Sequence, residues 1–148
     1  MGKKVLLIDD DPAFVEASRA VLEKSGYKVV VAYSAEEGWQ RAVQEIPDLI
    51  VLDVMMESKT SGITLVYRLK TCKQTATVPI LMVTSVYEEL PWLYEPEDFW
   101  NLMVAYLEKP VKPKTLLEWV GRTMGSGSSA QEKGEFGEQP FSSNPAAG

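Results

Sequence analysis

Five short runs of consecutive apolar residues, each followed by a stretch of different periodicity, constrain this chain more than any other feature. The runs are 5–8 (VLLI), 29–32 (VVVA), 49–52 (LIVL), 80–83 (ILMV) and 104–107 (VAYL). A strand with one wet face alternates apolar with polar residues, whereas a run apolar at every position suits a strand buried on both faces of a parallel sheet. Between the runs, apolar residues fall at helical spacing. Phe14, Ser18, Val21 and Leu22 share a face behind Asp11-Pro12, where Asp11 is placed to cap and Pro12 to take the first helical position, and Gly26 ends the segment. Ser34 and Glu37 form a capping box ahead of a stripe of Ala35, Trp39, Ala42, Val43 and Ile46, which Pro47 stops. Leu65, Val66 and Leu69 make a third stripe, and Leu116, Leu117 and Val120 a fourth after Lys112-Pro113. Five strands alternating with at least four helices predict the α/β class: a doubly wound five-stranded parallel sheet with right-handed crossovers and helices on both faces.

The alternation stops near Gly125. From there the chain is rich in Gly, Ser, Pro and Glu, with Phe136 and Phe141 as its only large apolar groups, too few to offset the entropy of ordering it. The expected organisation is a folded unit of 1–124 and a flexible tail of 125–148. A length of 148 residues fits one domain.

Composition removes several chemistries. With no histidine the chain supplies no imidazole base, no Ser-His-Asp triad, no His-ligated zinc and no phosphohistidine. The lone Cys72 has no partner for an internal disulfide or a CxxC pair, and no electropositive context marks it as reactive; a small apolar helix position is its expected role. A formal net charge of −6 argues against direct binding to nucleic acid or to an anionic membrane surface. Only four apolar residues separate Lys4 from three aspartates, so no signal peptide is read, and no run approaches the roughly 20 residues of a membrane span. The expected location is the cytoplasm.

Function is carried by the polar residues that end the runs. Asp9 and Asp10 follow the first, Asp53 the third, Thr84 the fourth and Lys109 the fifth. In an open parallel sheet these carboxyl ends share one edge, and ligands bind there where the strand order reverses. Three carboxylates gathered in a crevice repel one another and call for a cation. A set of hard oxygen donors suits Mg²⁺. Lys109 then offers a point charge to a phosphate and Thr84 a hydroxyl donor.

The ordered motifs VLLIDDDP, LIVLDVMM, ILMVTS and AYLEKP resemble the receiver domain of two-component response regulators over essentially all of residues 3–124. The resemblance implies a flavodoxin-like fold with strand order 2-1-3-4-5, and phosphorylation of Asp53 by a partner sensor histidine kinase or phosphotransfer protein. It implies Mg²⁺ held by Asp10, Asp53 and the main-chain carbonyl of Met55, with Asp9 assisting through water. It also implies a switch pair of Thr84 and Tyr106, and Lys109 on the phosphate ahead of Pro110. On this reading the chain is a signalling phosphoacceptor rather than a classical enzyme. Output would pass by protein contact, to a downstream partner or a second copy, through the face of strands four and five. Because Met55 and Val86 occupy the positions that govern water access in the family, slow self-dephosphorylation is expected.

Two departures stand out. Glu57 replaces the family's usual proline in a loop about one residue longer, and the segment SVYEELPWLYEPEDFWNLMV replaces an Ala- and Gly-rich helix. Pro91 and Pro96 break any long helix there; a short one from Glu97 to Met103 is expected, with Phe99, Leu102 and Met103 facing inward. The aromatic residues Trp92, Tyr94, Phe99 and Trp100 either pack onto the sheet or form an altered interface. The alternative function is a receiver-like interaction module that works without phosphate. A phosphatase of the haloacid dehalogenase type is disfavoured, since it needs an acid two residues beyond the nucleophile, where Met55 stands.

Overall fold

The apolar runs do become strands. In the computed structural model, which describes residues 2–53, 56, 61–84, 99 and 101–125, they are β1 (Lys4–Ile8), β2 (Lys28–Ala32), β3 (Leu49–Leu52), β4 (Ile80–Thr84) and β5 (Ala105–Glu108). All pair in parallel in the order β2-β1-β3-β4-β5, the expected flavodoxin-like arrangement. Four helices alternate with them: α1 (Pro12–Lys24), α2 (Ala35–Glu45), α3 (Ser61–Thr71) and α4 (Pro113–Gly125). The alternation of side-chain direction along each strand divides the core into two layers. Leu6, Ile8, Ile50, Leu52, Ile80 and Met82 face α2 and α3. Val5, Leu7, Leu49, Val51, Leu81, Val83 and Leu107 face α1 and α4. Residues 5–8 of β1, all of β3 and residues 80–83 of β4 are buried, whereas β2, on the edge, is half-exposed over most of its length.

The helix ends follow their local chemistry. Asp11 caps α1, its side chain accepting from the amides of Ala13 and Phe14 at 3.1 and 3.4 Å, and Pro12 opens the helix. Gly26 follows with a φ of 101°, a left-handed turn suited to glycine. Ser34 Oγ accepts from Glu37 N at 3.1 Å, while Glu37 returns to the amide of Tyr33 rather than to that of Ser34. α3 and α4 bury the expected Leu65, Val66, Leu69, Leu116 and Val120.

Several expectations shift in detail. The buried line of α1 is Val15, Ser18 and Leu22, with Phe14 half-buried and Val21 turned partly outward. Ile46 is not part of the α2 stripe; it caps the helix in the left-handed region at a φ of 43° and is 45% exposed. Gly38 lies in that stripe instead, where a Cβ would stand 2.7 Å from Ile8 Cδ1. Cys72 sits one residue past the end of α3 rather than within it, its Sγ 3.8 Å from Gln74 Oε1. Phe99, Met103 and the half-buried Leu102 do face the α2–α3 core, with the Phe99 ring 5.5 Å from that of Tyr67. Phe99 is helical, but Asn101 to Met103 form a turn and bend rather than the end of a helix. Trp92, Tyr94 and Trp100, like Met55, Glu57, Val86 and residues 126–148, lie outside the described residues.

Candidate functional site

The strand order reverses between β1 and β3, and the residue after each of these strands is an aspartate. Asp9 N donates to Ala32 O at 3.1 Å and Asp53 N to Ile8 O at 2.9 Å, so the sheet ladder extends one residue beyond the strands and anchors both main chains. Both carboxylates are thereby pinned on the core's rim, 2% and 5% exposed, while Asp10 faces solvent. One oxygen from each of Asp9, Asp10 and Asp53 lies within 4.8 Å of the others.

Lys109 reaches this cluster from the residue after β5. Its Nζ stands 2.8 Å from Asp9 Oδ2 and 3.3 Å from Asp53 Oδ2. Burial disfavours the ammonium, but the two carboxylates outweigh it and raise the Lys109 pKa above its ordinary value. Asp9 Oδ1 accepts from Asp11 N at 3.0 Å, which ties the carboxylate to the cap of α1. Asp9 Oδ2 is buried and meets the Lys109 ammonium as a close ion pair. The Phe14 ring flanks the same ammonium, with Nζ 4.9 Å from its centroid. The Lys109–Pro110 peptide bond is cis.

The structure therefore gathers Asp9, Asp10, Asp53 and Lys109. Thr84 ends β4 at the same edge, in register with Glu108 of β5; its side chain lies outside the described residues. Tyr106 sits half-buried on the α2–α3 side of β5, and burial raises its phenol pKa. Phe14 is the contributor that the sequence did not single out. Helical spacing assigned it to the core, and nothing local signals a residue from β5's far end lying over it.

The family model of the response regulator receiver domain matches residues 5–121. The chain belongs to this family. Relatives include the Bacillus subtilis alkaline phosphatase synthesis transcriptional regulatory protein PhoP, 44% identical over 60% of this chain and 36% of PhoP. The Pseudomonas aeruginosa phosphate regulon transcriptional regulatory protein PhoB is 35% identical over 87% of this chain and 56% of PhoB. The chain thus spans between about a third and just over half the length of these relatives. The chemotaxis response regulator CheY4 of Vibrio cholerae superposes with a TM-score of 0.71 at 28% identity, over 84% of this chain and all of CheY4. The fold is that of the receiver domains of two-component response regulators, and it carries the cluster of Asp9, Asp10 and Asp53. No helix among the described residues is long and apolar enough to cross a membrane.

Proposed function

We propose that this receiver accepts a phosphoryl group on Asp53 from a histidine of a sensor kinase or phosphotransfer protein in the cytoplasm, with Mg²⁺ as its cofactor. The observation that carries the reading is the triad of carboxylates within 4.8 Å, two of them buried and both paired with Lys109, and one open to solvent. The donor set is hard oxygen throughout and gathers three carboxylates within 4.8 Å, so the residues fit a small divalent cation. Asp9, Asp10 and Asp53 would hold it, joined by the main-chain carbonyl of Met55. When bound, the ion neutralises charge on the phosphoryl oxygens.

Asp53 acts as the nucleophile. A carboxylate oxygen attacks phosphorus in line, a C–O–P linkage forms, and the P–N bond breaks with its electron pair passing to the imidazole of the partner. That imidazole must be external, since this chain has no histidine. Lys109, already 3.3 Å from Asp53 Oδ2, holds positive charge beside the oxygens of the new phosphoryl group. Thr84 donates its hydroxyl to one of those oxygens, and Tyr106 responds to that movement on β5. The signal then passes by protein contact through the face of β4 and β5, to a downstream protein or a second copy.

Incubation with acetyl phosphate or phosphoramidate and Mg²⁺, followed by intact mass measurement, tests this. One phosphoryl adduct is expected, and it is absent from Asp53→Asn. An adduct that survives in Asp53→Asn overturns the assignment, and no adduct at all favours an interaction module that works without phosphate.

A further inference from the structure

Lys109 is held by more than its ion pairs. Its ammonium lies between Asp9 Oδ2 at 2.8 Å, Asp53 Oδ2 at 3.3 Å and the ring of Phe14, whose centroid is 4.9 Å away. Phe14 projects from the first turn of α1, half-buried against the core layer that also receives α4. The ring therefore spans two parts of the site that the sheet does not connect: the helix that follows Asp9 and Asp10, and the loop that follows β5. We propose that Phe14 is a positioning residue, which holds the Lys109 ammonium toward Asp53 through its ring face when a phosphoryl group occupies the site. This rests on the phospho-accepting reading above.

What distinguishes the ring from the carboxylates is that its contact survives the reaction. Once Asp53 is esterified and a divalent cation takes the aspartates, the charges that now orient Lys109 are engaged elsewhere. The ring contact involves no reacting atom and remains. The phosphoryl oxygens are then the one charged partner of Lys109, and a lysine side chain with four flexible bonds reaches them from many positions. A half-buried ring face restricts that sampling and attracts the cation directly. Leucine at position 14 would fill much of the same space without the quadrupole; tyrosine would retain it.

Beryllofluoride, a stable stand-in for the phosphoryl group, provides the test. Its affinity is measured by calorimetry at saturating Mg²⁺ for the full chain, Phe14→Tyr and Phe14→Leu, alongside the affinity for Mg²⁺ alone. The expected result is a loss of about threefold to tenfold in beryllofluoride affinity for Phe14→Leu, with no loss of Mg²⁺ affinity, and at most about a twofold change for Phe14→Tyr. Three results would overturn it: Phe14→Leu matching the parent, Phe14→Tyr losing as much as Phe14→Leu, or Mg²⁺ and beryllofluoride affinities falling together, as a packing fault would cause. If the unsubstituted chain binds Mg²⁺ but not beryllofluoride, the phospho-accepting reading fails and takes this inference with it.

Discussion

Single residues in this molecule show both ways of burying a polar group. Ser18 faces the core from α1, fully buried, and its hydroxyl has no hydrogen-bond partner among the described residues. Its desolvation is uncompensated, so removing the oxygen costs nothing in contacts. Ser18→Ala is expected to be neutral or to stabilise by up to about 1 kcal/mol, read from the urea midpoint. Asp9 and Asp53 are the contrary case, buried but matched to Lys109, whose own side chain is only 18% exposed. Replacing that lysine takes away the ammonium that both buried carboxylates meet. Lys109→Met is expected to cost about 3 kcal/mol in the presence of a chelator. Mg²⁺ should recover part of that loss, because it neutralises the same oxygens. A variant as stable as the parent in chelator would show that the pairs carry little energy.

At the scale of elements, what decides is how closely each helix approaches the sheet. α2 lies against β1 at Gly38, where a Cβ would meet Ile8 Cδ1 at 2.7 Å and Cγ2 at 2.9 Å. Gly38→Ala is therefore expected to destabilise by about 1 to 3 kcal/mol, although alanine is the better helix former. Gly121 in α4 is the control, since the nearest atom to its added Cβ is Tyr27 Oη at 3.9 Å. Gly121→Ala should stabilise by about 0.5 to 1 kcal/mol, and the two midpoints moving in the same direction would refute the close-approach argument. The connection from α3 to β4 offers a pH test. Lys70 Nζ donates to Val78 O at 2.7 Å and to Ala76 O at 3.2 Å, and burial lowers its pKa below the ordinary 10.5. Between the lowered folded value and the unfolded one, the unfolded chain binds more protons, so stability gains with rising pH in that window. The advantage of the parent over Lys70→Met should thus widen as pH rises toward 10.5, measured by urea denaturation at each pH. These cases also show which elements were legible beforehand. Strand positions buried on both faces are apolar at every residue, so the five runs located the sheet within a residue at each end. A helix writes only its approximate face into the sequence. That is why Val15 replaced Val21 on the buried side of α1, and why Ile46 left the α2 stripe for a left-handed cap. Asp9, Asp53 and Lys109 were legible because each follows a strand, whereas Phe14 was not, since its contact with Lys109 joins α1 to a loop 95 positions away in sequence.

For the molecule as a whole, the site is where the fold is least self-sufficient. The chain carries a formal charge of −6, and three of its carboxylates are drawn together at the switch point of the sheet with, among the described residues, one ammonium beside them. Their positions come from elements far apart in the chain: the ends of β1 and β3, with Lys109 beyond β5. The sheet's apolar layers hold these elements together at the cost of concentrating like charge, and the unfolded chain has no such concentration. A ligand that binds this arrangement and not the unfolded chain must stabilise the entire domain by mass action. Mg²⁺ at about 100 times its dissociation constant is expected to add about 2.7 kcal/mol to unfolding, with the slope of the denaturation curve unchanged. Sodium chloride at the same ionic strength serves as the control, because screening acts on dispersed surface charge and hardly at all on a buried pair. Asp10→Asn sharpens the measurement, since Asp10 is exposed, and its loss should remove most of the Mg²⁺ effect while leaving the core untouched. Stabilisation by Mg²⁺ that sodium chloride reproduces, or that persists undiminished in Asp10→Asn, would mean that the three aspartates do not form the binding site.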